Sequence, residues 1–420
     1  MLTFDKVYAL AIAIIYGIAG IPWSFWLFRK DHETGIFEKA VIGYTLGLVL
    51  VPFLFLLEYL ATILYNPIFI YINWLAVLVS GLYFAYKDKA YKIDVDFSGI
   101  FNQRTLCLLA LFAIMFSSFI IAFSVSGIPI MDLDPYFYLD GVRQVVYTGQ
   151  NMANDMTAWY PEPISSHIGN PIWKYMMASW YSLYNGAAAY SPYTLMGVGS
   201  IYPPIIGALA AFFAYFALKQ LYNHRSGLLA AGALAFMPIL MLKFQGGDFQ
   251  IEPYNVFAFV FLMGAFAYAL RKNTRESSLF LLAATACSFL GSNLASLVLF
   301  VFSLAVFCIC IARFIHDTHE GEKREKTIAH FIGAIILCEA LFLAYYVKSG
   351  ADVGGSAKTI LPYILIPLAA FACALELGLS GTVTFAVVVP AMVKVHAIIG
   401  IAEALITIAL VKTFRSFLPK

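Results

Sequence analysis

Charge is what this chain has least of. Only 12% of its 420 residues are Asp, Glu, Lys or Arg, about half the share of an ordinary soluble domain. Hydrophobic residues make up 62% and the mean hydropathy is +0.82, so a water-soluble globule is excluded. Net charge is slight, +2 with a pI of about 8.1. No basic patch with interleaved aromatics occurs, which excludes nucleic acid as a partner. There is no Cys-x-x-Cys pair. Cys107, Cys287, Cys308, Cys310, Cys338 and Cys373 all lie in apolar stretches and read as small buried hydrophobes, neither disulfides nor metal ligands. No Walker-type nucleotide loop is present, so the chain cannot drive ATP-dependent transport by itself.

What is abundant is long apolar runs. In hydrocarbon every backbone N–H and C=O must be satisfied within the segment, so such runs read as helices. The expected fold class is all-α, a polytopic integral membrane protein with about 10–12 transmembrane helices. Runs fall near Val7–Phe28, Ala40–Tyr65, Pro67–Tyr86, Leu106–Gly127, Leu195–Leu218, Ser226–Leu242, Tyr254–Leu270, Ser278–Leu290, Leu294–Ile311, Thr327–Val347 and Leu361–Leu379. A last one, Val383–Val411, contains Pro390 and Lys394 and reads as one span or as a re-entrant segment followed by a helix. The first run ends in Arg29 and Lys30 without a small-residue cleavage site, as in a retained membrane helix rather than a signal peptide.

Lys and Arg in alternate connections give the orientation. One set holds Arg29, Lys30, Lys39, Lys87, Lys89, Lys92, Arg104, Lys219, Arg225, Arg271, Lys272, Arg275, Arg313, Lys323, Arg324 and Lys326. The other holds only Lys6, Arg143, Lys174, Lys243, Lys348 and Lys358. The rich set belongs in the cytoplasm, which places the N-terminus outside a cell membrane. The polar stretch 129–193 and the loop around Asp248 then share the extracytoplasmic face, although neither was chosen in the count.

The first of these loops opens Asp132-Leu133-Asp134-Pro135-Tyr136 and reaches Arg143. Two carboxylates two residues apart are hard oxygen ligands suited to Mg²⁺ or Mn²⁺, an ion able to neutralise a phosphate leaving group. Arg143 offers a bidentate phosphate partner within reach of that site if the run from Pro135 is helical. A second reading stands beside it: solvated carboxylates capping a helix with Pro135 in its first turn. Downstream lie Trp159, Tyr160, Glu162, His167, Trp173, Lys174 and Trp180, a stretch suited to stacking on sugars or, as membrane proteins more commonly use it, to an interfacial aromatic belt. The second acidic point is Gly246-Gly247-Asp248-Phe249-Gln250-Ile251-Glu252-Pro253. Its glycines permit close approach of backbone to a ligand, and Asp248 and Glu252 can join Asp134 and Asp132 around one cation. The alternative is an acidic helix start before Pro253. Glu58 and Glu339 sit inside apolar runs, where an ionisable group is a functional suspect. The His316, Asp317, His319, Glu320 and Glu322 cluster lies in a charged loop with Lys323, Arg324 and Lys326 and reads as solvated.

Taken together, Asp134-Pro135-Tyr136-Phe137 through Arg143 and the Gly-Gly-Asp248 turn resemble the catalytic subunits of oligosaccharyltransferases, archaeal ones in particular, and the wider GT-C membrane glycosyltransferases. The resemblance spans residues 105–300. It implies a polyprenyl-phosphate-linked sugar donor, a divalent metal at Asp134 and Asp248, and sugar transfer on the extracytoplasmic face. Two features depart from the family: the second motif is followed by Gln250 where a carboxylate is usual, and the Trp-Trp-Asp-Tyr-Gly acceptor motif does not occur. Transfer to asparagine is therefore not implied.

A different resemblance covers the C-terminal 60 residues. Ala372-Cys373-Ala374-Leu375-Glu376-Leu377-Gly378 and Val393-Lys394-Val395-His396 through Glu403 are similar to the end of CbiM-type membrane components of cobalt and nickel uptake. That family implies Co²⁺ or Ni²⁺ as the transported ion and transporter subunits, including an ATPase, as partners. The N-terminal Met-His ligands of CbiM are replaced by Met1-Leu2-Thr3. His396 and Glu403 are seven residues apart and share a helical face. The expected organisation is a three-helix region 1–104, a GT-C-like membrane domain 105–347, a Gly-rich linker 348–358 and a CbiM-like segment 359–420.

Overall fold

A computed structural model describes residues 4–90, 103–126, 134–152, 154–155, 164–165, 169–247, 249–293 and 320–350. Two compact units divide the chain, one of Met1–Ala295 with His330–Ala351 and one of Ser296–Ala329 with Asp352–Lys420. Both the three-helix region and most of the GT-C-like region expected from the sequence fall in the first unit.

The first unit is helical because its apolar runs can satisfy their backbones internally, and the sequence supplies the starts. Asp5 accepts from the N–H groups of Val7 and Tyr8 at the head of α1 (Lys6–Ile18). A short α2 (Ile21–Leu27) continues its direction across Gly20. After α3 (Ile36–Leu60), Asn66 caps α4 (Pro67–Lys87), whose first residue is a proline with no N–H to leave unpaired. Next come α5 (Gln103–Ser124), α6 (Asp134–Thr148) and a two-residue antiparallel ladder of β1 (Asn154–Asp155) with β2 (Ile164–Ser165). The chain continues through α7 (Pro171–Asn185), α8 (Pro192–Gly199) and α9 (Tyr202–Leu221). Then follow α10 (His224–Phe236), α11 (Pro238–Lys243), α12 (Glu252–Lys272), α13 (Arg275–Gly291) and α14 (Glu320–Lys348).

Among the described residues seven helical stretches are long and apolar enough to cross a membrane: Lys6–Leu27, Ile36–Leu60, Pro67–Lys87, Gln103–Ser124, Pro192–Leu221, Glu252–Lys272 and Lys326–Lys348. The chain is a multi-pass membrane protein. The run expected as one span over Ser226–Leu242 is instead two short helices, α10 and α11, because Pro238 disfavours helical backbone at Met237, which is extended. The runs at Leu294–Ile311, Leu361–Leu379 and Val383–Val411 lie outside the described residues.

Close packing follows from small residues. Gly43 and Gly47 of α3 are one turn apart, and a Cβ on Gly47 would stand 2.1 Å from the Gly17 carbonyl oxygen. Backbones this close are the usual product of small residues four apart in membrane helices. The interior around α9, α12 and α13 is aromatic: Phe213 meets Phe261 at 4.5 Å between ring centroids, and Phe28 meets Tyr268 at 4.7 Å. Cys107, Cys287 and Cys338 are buried free thiols.

Connections sort to two ends. At one, the turn between α2 and α3 is tied down by cations from several helices. Arg29 pairs with Asp88 and Glu276 at 3.3 and 2.7 Å, Lys272 with Asp31 at 3.0 Å, and Arg271 with Glu33 at 2.9 Å. Burial opposes ionisation of Asp31, but hydrogen bonds from Thr34 and Lys272 hold its carboxyl below the usual range. The deepest pair is Lys219 with Glu38 at 2.5 Å, their side chains 5% and 0% exposed. Lys219 also donates to the Glu33 carbonyl at 3.0 Å, and Glu38 accepts from the Gly35 N–H at 2.7 Å. Arg29, Arg104, Lys219, Arg271 and Lys272, all of the basic set, thus meet at one end. Removing one partner of such a buried pair strands the other charge, at a cost of about 3–5 kcal/mol. Lys219→Met should therefore lower thermal stability by roughly 3 kcal/mol or more, and adding Glu38→Gln should restore part of it; a melting temperature unchanged in the single variant would show that the pair contributes nothing.

Candidate functional site

The other end of the bundle carries both acidic motifs. Asp134 is the first residue of α6, its side chain outside the described residues, as are Asp132 and Asp248 altogether. The positions that flank them are described, and they meet. The chain leaves α5 at Ser126, whose hydroxyl donates to the Ser200 carbonyl at 3.0 Å. Gly246 donates its N–H to the Ala122 carbonyl at 3.0 Å. A Cβ on Gly246 would fall 1.9 Å from Ser126 Oγ and 2.6 Å from Ser126 Cα. The described contact of Gly246 is with the protein's own backbone. Gly246 lets the second motif's turn seat on the backbone that leads to the first, and Gly247, at φ +103°, takes a conformation open chiefly to glycine.

A buried indole completes the junction. Trp173, in the first turn of α7, is 0% exposed. Tyr138 of α6 meets its ring edge-on at 5.9 Å, Phe249 lies at 5.1 Å, and Tyr202 at the head of α9 lies at 5.8 Å. Residues four apart share a helical face, so position 134 lies on the face of α6 that presents Tyr138 to Trp173. Phe249 directly follows Asp248. Tyr202 also donates its hydroxyl to the Gln250 carbonyl, and Lys243 donates to Gln250 Oε1 at 2.6 Å. Trp173 and Trp180 are both buried, so neither belongs to the interfacial belt that was the commoner reading of this stretch. Trp159, Tyr160, Glu162 and His167 lie outside the described residues.

Glu252 begins α12, and its Oε2 is buried with no hydrogen-bond partner. A buried carboxylate oxygen without a donor is costly unless a cation satisfies it, so Glu252 fits the expected divalent ion. Among the described residues no three Asp, Glu, His or Cys side chains gather as a ligand set; the other three expected ligands are not among them.

Arg143 is placed differently. Because α6 is unbroken from Asp134 to Thr148, nine residues separate it from Asp134 by about 14 Å along the axis and half a turn around it. Arg143 grips Asp140, with Nε and Nη2 on Oδ1 at 2.9 and 2.6 Å. Glu58, near the end of α3, has a buried Oε2 without a hydrogen-bond partner. Sequence reasoning named Trp173 only as one aromatic of many. Its proximity to Lys174 and to Pro171 at a helix start was the available signal, but nothing local says that three distant rings converge on it.

No protein-family model matches the chain, the segment likened to CbiM included, and no curated protein is similar to it. Among solved structures it is similar to the archaeal oligosaccharyltransferase AglB from Archaeoglobus fulgidus, in complex with an inhibitory peptide and a dolichol-phosphate. The TM-score is 0.50 at 14% identity, over 76% of this chain. The fold resembles that of an oligosaccharyltransferase. This chain spans 39% of the AglB chain it matches, and the likeness is one of fold. His396 and Glu403 lie outside the described residues, and the metal-uptake reading rests on the C-terminal resemblance alone.

The seating of Gly246 on Ser126 is a contact between backbones, which side-chain rotation cannot relieve. Gly246→Ala should cost about 1–3 kcal/mol by overpacking, read as a lowered melting temperature in detergent. Adding Ser126→Gly should recover only part, since Ser126 Cα remains; full stability in the single variant would show that the two motifs are not held by this contact.

Proposed function

We propose that this chain is a membrane glycosyltransferase that takes a sugar from a polyprenyl-phosphate carrier on the extracytoplasmic face of the membrane. The observation that carries the reading is the junction itself: the exits to both acidic motifs are in backbone contact at Gly246 and Ser126, and their flanking rings, Tyr138 and Phe249, meet on Trp173. The fold likeness to AglB, a protein solved with a dolichol-phosphate, supports a lipid-linked donor. The Lys and Arg bias supports the orientation, since the basic connections that are described gather at the end opposite the motifs.

In this reading Asp134, Asp248 and Glu252, with Asp132 beside them, would hold Mg²⁺ or Mn²⁺, a hard cation suited to carboxylate oxygens. When bound, such an ion offsets the negative charge that develops on the departing lipid phosphate. The chain's own residues do the rest. Trp173, Tyr138, Phe249 and Tyr202 form an aromatic wall that keeps water from one side of the junction, which strengthens every charge interaction there. Arg143, oriented by Asp140, adds positive charge farther along α6, where it favours the phosphate leaving group without touching the cation.

The test is turnover in sealed vesicles of known sidedness. Right-side-out vesicles given polyprenyl-phosphate sugar and Mn²⁺ from outside should release the carrier phosphate, with water as the nucleophile that takes the sugar when no other acceptor is added. Asp134→Asn should reduce that rate by at least about a hundredfold without lowering the melting temperature. Turnover unchanged in Asp134→Asn, or seen only in inverted vesicles, would contradict the reading.

A further inference from the structure

Two lysines are buried among the described residues, Lys174 and Lys219. Lys219 has its carboxylate, Glu38, at 2.5 Å. Lys174 is 1% exposed and its Nζ has no hydrogen-bond partner. An ammonium withdrawn from water with its three donors unspent is strongly disfavoured unless an anion meets it. The indole N–H of Trp173, the preceding residue, is likewise buried without an acceptor. Two adjacent donors in the first turn of α7 thus lack acceptors, at the end of a helix whose dipole favours negative charge.

Asp140 is the carboxylate whose field reaches Lys174, and its Oδ1 is already engaged by Nε and Nη2 of Arg143 at 2.9 and 2.6 Å. The rings of Tyr138 and Phe249 pack on Trp173, the residue before Lys174, and limit the water that would screen a charge there. Burial pulls the Lys174 amine down to about 7, with Asp140 opposing, so an arriving anion would find a group poised to take up a proton and hold it.

We infer that Lys174 is an anion receptor, built to accept a phosphate oxygen on its ammonium with the Trp173 N–H as a neighbouring donor. The ligand class is a phosphate ester or phosphate itself; a compact ammonium suits a phosphate oxygen as a point charge. Assigning that phosphate to the lipid carrier rests on the function proposed above, whereas the receptor itself does not.

Binding, not turnover, separates the two. The full-length protein, purified in detergent, is titrated with polyprenyl phosphate, with polyprenol lacking the phosphate, and with inorganic phosphate, for wild type, Lys174→Met and Lys174→Gln. The expected result is at least a tenfold loss of polyprenyl-phosphate affinity in Lys174→Met, a smaller loss in Lys174→Gln, unchanged polyprenol binding, and a melting temperature no lower than wild type. Polyprenyl phosphate bound equally by wild type and Lys174→Met would overturn the receptor, and so would equal losses of polyprenol and polyprenyl phosphate. If that happened while Asp134→Asn still abolished turnover, the lipid-donor reading would stand without it. Inorganic phosphate bound as tightly as the lipid, and lost in Lys174→Met, would keep the receptor and set aside the lipid carrier as its ligand.

Discussion

Gly246 resting on Ser126 is the contact on which the motif end of this protein depends. Nothing larger than hydrogen fits between the two backbones, and the contact fixes where α5 ends relative to where α12 begins. Once it is made, Phe249 reaches Trp173 and Tyr202, and the unpaired oxygen of Glu252 stands at the head of α12, directly after that turn. A membrane protein has little hydrophobic force to hold helices against one another in lipid, so packing of small residues and satisfied polar groups must do it. Gly47 against Gly17 and Gly43 against Ile21 supply the same device between α3 and the first helices.

The two ends of the bundle use charge in opposite ways. At the basic end four cations from different helices have carboxylate partners: Arg29, Lys219, Arg271 and Lys272, with Arg29 and Lys272 paired twice. These pairs clamp the turn between α2 and α3, and the buried charges there, Lys219, Glu38 and Asp31, are all satisfied. At the motif end charges are left over, a carboxylate oxygen on Glu252 and an ammonium on Lys174. Buried groups left without partners are expensive, and they persist where a ligand supplies the missing half. The contrast between a satisfied end and an unsatisfied one is the strongest sign of where ligands bind.

Much of this was legible in the chain. Charged punctuation marked the spans, since a helix in lipid cannot carry Lys or Arg cheaply, and alternation of basic connections separated the two ends. Asp134-Pro135 announced a helix start, which α6 confirms. The pairing of distant residues was not legible. Nothing local to Lys219 names Glu38, and nothing local to Trp173 says that Tyr138, Tyr202 and Phe249 surround it, because such contacts are set by which helices become neighbours. The periodicity that sets Arg143 two and a half turns beyond Asp134 on α6 was available from spacing alone. Pro238 likewise marked the break between α10 and α11.

The claim that the two acidic motifs build one site is tested most directly by counting bound Mn²⁺. Electron paramagnetic resonance of the purified protein titrated with Mn²⁺ should show one tightly bound ion, lost in Asp134→Asn and lost equally in Asp248→Asn. An ion that survives intact in either variant would mean that the motifs meet at Ser126 and Trp173 without sharing a cation, and the account of the site would fail.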